Sequence, residues 1–166
     1  MGYTTDFNGH FVVSKGLSSE QVAYLKKFAG TRRMKRNAEL ASRLPDPERE
    51  AIGLPIGEEG CYFVGGTGEC GQDEDASVID YNSAPKGQPS LWCHWEPSED
   101  GERIEWNGAE KFYRYVEWLS YIVKYFLIPW NRVLNGEVQW EGEDSDDAGV
   151  IQVSNNVINT GSPHRR

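Results

Sequence analysis

Hydrophobic positions along this chain follow two periods, one close to 3.6 residues and one of two. His10-Phe11-Val12-Val13 reads as a short strand, and Leu17-Ser18-Ser19-Glu20-Gln21-Val22 carries the marks of a helix start. Ser18 caps, Gln21 completes a capping box and Leu17 staples to Val22. Val22, Leu25 and Phe28 follow at helical spacing until Gly30 ends the helix. A weaker helix is expected over Asn37 to Arg43, broken by Leu44-Pro45-Asp46-Pro47. Cys61-Tyr62-Phe63-Val64 predicts a strand within a glycine-rich stretch from Gly53 to Gly71. Leu91 to Glu96 and Ile104 to Trp106, separated by the turn Ser98 to Glu102, predict a hairpin over residues 91–106.

The most regular stretch runs from Ala109 to about Leu127. Phe112, Tyr115, Val116, Leu119, Ile122, Val123, Phe126 and Leu127 share one helical face, Lys111, Arg114, Glu117, Ser120 and Lys124 the other, and Pro129 closes it. Val133 to Trp140 then alternates as a strand. An acidic turn from Glu141 to Asp147, a strand over Val150 to Val153 and an edge strand near Val157-Ile158 complete a three-stranded meander. The expected class is α+β. One domain over residues 1–158 carries an antiparallel sheet, with one long amphipathic helix and one shorter helix packed on it, and a disordered tail over 159–166.

Charge narrows the partners. The net charge of −9 argues against sequence-independent DNA or RNA binding and against docking on an anionic membrane. It leaves open a basic protein partner or a small anion at a local basic site. The longest apolar segment, near 112–130, holds Arg114, Glu117 and Lys124 and is too charged to span a bilayer. The start MGYTTDF has neither a basic nor an apolar leader region, so a cytoplasmic protein with Cys61, Cys70 and Cys93 reduced is expected.

Against that acidic background stands TRRMKR, residues 31 to 36. Arg32, Arg33, Lys35 and Arg36 are open to two uses, a face paired with acids elsewhere or a clamp on phosphate or carboxylate. Gly65 to Gly71 lacks the lysine, serine and spacing of phosphate loops and reads as a flap. Trp92-Cys93-His94-Trp95 on a strand places Trp92 and His94 on one side, Cys93 and Trp95 on the other, and one face then presents an aromatic–imidazole pair. As sequence neighbours Cys93 and His94 make no catalytic dyad, and no zinc-ligand spacing is present. Glu137, Glu141, Glu143, Asp144, Asp146 and Asp147 form an acidic hairpin, either a solvated turn guarding the sheet edge or a docking surface.

Taken together, MGYTTDF, TRRMKR, DYNSAPKGQPSLWCHWEPSEDGERIEW, EKFYRYVEWLSYIVKYFLIPW and LNGEVQWEGEDSDDAGVIQV resemble a family of small proteins found in bacteriophages and scattered through bacterial genomes. The likeness covers roughly residues 1–158 and departs from the family's pattern at Asn131-Arg132. It implies a cytosolic, often phage-borne protein and supplies no catalytic residues to carry over; phage accessory proteins of this size are often counter-defence factors. Two functions follow. In the first, a non-enzymatic binder takes a nucleotide-like anion, with Arg32, Arg33, Lys35 and Arg36 on phosphates and Trp92, His94 or Trp95 stacked on a base. In the second, Glu141, Glu143, Asp144, Asp146 and Asp147, joined by the acids of 96–105, meet a basic host protein. An enzyme ranks last: there is no nucleophile–base pair, metal motif or cofactor signature.

Overall fold

Between Thr5 and Val13 side chains alternate: Thr5, Phe11 and Val13 are buried, Phe7 is half-buried, and Asp6, Asn8, His10 and Val12 are exposed. That period of two makes Thr5–Val13 (β1) a nine-residue strand, longer than its apolar run suggests. The other strands are Lys35–Arg36 (β2), Val78–Asp80 (β3), Trp95–Pro97 (β4), Arg103–Trp106 (β5), Leu134–Gly142 (β6), Ala148–Ser154 (β7) and Val157–Gly161 (β8). The helices are Ser19–Ala29 (α1), Ala38–Ser42 (α2), Pro47–Ala51 (α3) and Tyr115–Ile122 (α4). The structure is a computed structural model that describes residues 2–66 and 72–163. Thr67 to Gly71 of the expected flap, with Cys70, and the tail from His164 lie outside the described residues.

The chain divides into two compact units, residues 1–18 with 94–166, and residues 19–93. The first holds a six-stranded antiparallel sheet in the order β4-β5-β1-β6-β7-β8. The α+β class and the C-terminal meander are as the pattern predicts. Asn159 to Gly161, expected in the tail, belong to β8. On the inner face Phe7 meets Trp95, Trp106, Phe112 and Tyr115 at ring-centroid distances of 5.0–5.6 Å. Trp95 is 1% exposed, and its Nε1 donates to the carbonyl of Tyr115 at 2.8 Å. Full burial of Phe112, 1% exposed, contributes roughly 1.5–3 kcal/mol.

The expected helix from Ala109 starts six residues late. Lys111 and Arg114 sit at φ 62° and 60°, so the chain turns before α4, and Phe112 enters the ring cluster from the turn. α4 then buries Trp118, Leu119, Tyr121 and Ile122 and continues as a π turn, Val123–Leu127.

In the second unit α1 buries Val22, Tyr24, Leu25, Phe28 and Ala29. Asn37 caps α2 by accepting from the Leu40 N–H at 3.0 Å. The short helix α3 starts at Pro47, inside the segment read as a breaker, because proline fits the first turn of a helix. Residues 61–64 form no strand; they follow a 3-10 turn, Glu58–Gly60. The sheet here is instead the two-stranded β2-β3.

Candidate functional site

TRRMKR lies inside the second unit, largely buried. Thr31 donates from Oγ1 to the Lys27 carbonyl at 2.6 Å and closes α1. Arg33 is 2% exposed: its guanidinium stacks 4.2 Å over Phe28 and donates to the carbonyls of Phe63 and Cys61 and to Gln88 Oε1. Arg36, also 2% exposed, lies 4.4 Å over Phe63 and donates from Nη1 to Asp75 Oδ2 at 2.9 Å and Ser77 Oγ at 2.8 Å. Its Nη2 has no hydrogen-bond partner among the described residues. Burial works to raise the Asp75 carboxyl, but Ser77 and Arg36 outweigh it and hold it below its ordinary value. Arg32 donates to the Tyr81 carbonyl and to Asn82, and Lys35 lies 3.6 Å from Glu59. To clamp a ligand, Arg33 and Arg36 would first have to leave these partners. The buried pair Asp46–Arg49, at 2.7 Å, is a further polar rivet that the sequence reading passed over.

The expected stacking residues are placed differently as well. The strand starts at Trp95, not Leu91, and Cys93, His94 and Trp95 are all buried, so no strand face presents an aromatic–imidazole pair. Trp92 is half-buried and belongs to the second unit, while His94 and Trp95 belong to the first. His94 packs 4.8 Å from Phe112, and its Nδ1 is buried with no hydrogen-bond partner among the described residues. Burial pushes its imidazole down to about 4, against a smaller opposing effect of the Ala109 backbone. It is a neutral core residue at pH 7.

The acidic hairpin, by contrast, opens outward. β1 and β6 place Asp6 opposite Glu141 and Phe7 opposite Trp140. Both carboxylates are exposed, and among the described residues neither has an ion pair. Like charges directly opposed across a pair of strands are unfavourable, so a cation there would be stabilised. Asp6, Glu141, Phe7, Trp140, Gly149 and Pro163 contribute to the lining of a recess of about 200 Å³. Gly149 stands opposite Trp140 across β6 and β7, and a Cβ on it would run into the Trp140 ring.

The turn beyond is held from within. Asp147 accepts from Trp140 Nε1 at 3.0 Å and from the Tyr3 hydroxyl at 2.8 Å, and Glu143 accepts from the Thr4 N–H at 2.6 Å. Desolvation, then the Asp147 charge, pushes the nearby Tyr115 hydroxyl up to about 12. Asp147 is thus a structural member of the expected partner surface, whereas Glu141, Asp144 and Asp146 are exposed. Tyr3 and Trp140, which fix the turn, escaped the sequence reading because their partner lies 144 residues away for Tyr3 and across the hairpin for Trp140.

No family model, no curated protein and no solved structure matches the chain. Among the described residues no helix is long and apolar enough to cross a membrane, and no group of three His, Cys, Asp or Glu side chains is placed to hold a metal ion.

Proposed function

We propose that the protein is a binding factor that docks the acidic rim of its large sheet on a cationic surface of a partner protein. The observation that carries this reading is the Asp6–Glu141 pair, exposed, facing across β1 and β6 and unneutralised, at a recess it shares with Asn8 and Gln139 on the same face of the sheet. Two carboxylates side by side suit an Arg or Lys side chain, which forms charge-assisted hydrogen bonds with them. Glu143, Asp144 and Asp146 extend the same charge along the hairpin and favour fast, salt-sensitive encounter. On the phage resemblance the partner is a basic host protein met in the cytoplasm. The small-anion reading keeps one open donor, Arg36 Nη2, but Asp75 already matches that charge.

The test uses an arginine-rich peptide and its citrulline counterpart, titrated against the full chain at low and at physiological salt. The arginine peptide is expected to bind, to weaken with salt, and to lose about tenfold or more in affinity against Asp6→Asn with Glu141→Gln. Equal binding of both peptides, or an unaffected double variant, removes the reading. Native mass spectrometry of protein purified from cells decides the competitor: a co-purifying phosphate compound would return the case to the arginines.

A further inference from the structure

The two edges of the six-stranded sheet differ. β4 is three residues long and ends in Pro97, which has no N–H to offer a further strand. β8 is Val157-Ile158-Asn159-Thr160-Gly161, exposed along most of its length, with no charge, no proline and no bulge to discourage pairing.

The register shows which backbone groups are open. β7 and β8 are joined by Asn155-Asn156, both at positive φ, 48° and 69°, a two-residue turn of the primed type. Such a turn closes on a hydrogen-bonded pair, here Ser154 and Val157, and bonded pairs recur at every second residue. Val157, Asn159 and Gly161 therefore bond to β7, while Ile158 and Thr160 turn their N–H and C=O outward. Among the described residues no backbone hydrogen bond reaches those outward groups.

We propose that β8 is a self-pairing edge, on which a second copy of this chain docks antiparallel, β8 against β8, about a two-fold axis at Asn159. In that register Ile158 of one copy faces Thr160 of the other, and each such pair exchanges both backbone hydrogen bonds. Asn159 faces its own equivalent, and Val157 faces Gly161 of the second copy. That last pairing is complementary in shape. Val157 is 60% exposed, and a Cβ built on Gly161 meets nothing within 4 Å, so the glycine leaves room for the valine. The seam carries no charge, so two acidic chains meet there where repulsion is least. A charged peptide would find no countercharge on β8, which favours the identical strand as occupant.

Sedimentation velocity over a concentration series reads the association directly. A concentration-dependent dimer is expected, and Thr160→Pro, which deletes an outward N–H and spares the bonds to β7, is expected to raise its dissociation constant about tenfold or more. Asn159→Lys, which sets two cations face to face at the axis, is expected to do the same. Hydrogen exchange on the unmodified chain needs no variant: the Ile158 and Thr160 amides should slow as concentration rises, while the Asn159 amide stays protected throughout. A chain that stays monomeric to several hundred micromolar overturns the proposal. So does a dimer that both variants leave intact, or one whose Ile158 and Thr160 amides exchange at a constant rate.

Discussion

Arg33 converts a cation into a structural rivet. Its guanidinium spans the Phe63 and Cys61 carbonyls and Gln88 while lying flat on Phe28. A planar fork can do all of that at once; a lysine ammonium cannot. Arg33→Met would keep the apolar contact with Phe28 and leave the Phe63 carbonyl buried without this donor, at a cost of about 2–4 kcal/mol. Urea denaturation measures it. A loss under about 1 kcal/mol would mean that this network does not hold the unit together. The arginine fork could then be assigned to a ligand after all. The sequence displayed the charge of TRRMKR but not its burial, because its acceptors stand 28 to 55 residues away. Charge density alone does not separate a clamp from a rivet; only the position of the carbonyls does.

Elements that obey one simple period were legible, and those that depend on a local backbone reversal were not. The meander β6-β7-β8 is a run of short apolar stretches separated by turn residues, and α2 carries its own cap at Asn37. The stretch from Ala109 to Arg114 keeps helical spacing through Phe112 and yet is not helix, because Lys111 and Arg114 occupy the left-handed region. Arg114 stands at the N-cap of α4 with φ 60° and ψ 39°, a conformation that costs a non-glycine residue about 1 kcal/mol. Arg114→Gly is therefore expected to stabilise the protein by roughly 0.5–1 kcal/mol, its lost pair with Glu117 being exposed and worth little. Were residue 114 inside a helix begun at Ala109, the same glycine would destabilise by a similar amount. Thermal unfolding thus reads the sign, and a lower midpoint would contradict the turn. β2-β3 was invisible for another reason: a strand of two residues paired with one of three has no period to detect.

For the molecule as a whole, charge and burial together determine how it responds to acid. His94 is buried beside Phe112 with its imidazole pushed down to about 4, so between about 6.5 and 4 the unfolded chain takes up a proton there that the folded chain refuses. Stability must then be present in full above pH 6.5 and decline as pH falls toward 4. Below that window Asp75, held under its ordinary value, adds a further loss as it protonates. Asp46 acts the other way: burial raises its carboxyl, so the folded chain binds that proton more readily and gains from it. The directions differ, and a difference measurement isolates His94. Urea unfolding of the wild type and of His94→Gln at pH 7, 5.5 and 4.5 is expected to show a slope in the first that is largely missing from the second. The variant also loses ring packing, which lowers its stability at every pH and leaves the slope untouched. Parallel pH profiles would place the acid sensitivity in the carboxylates, and with it the view of His94 as a neutral core residue would fall.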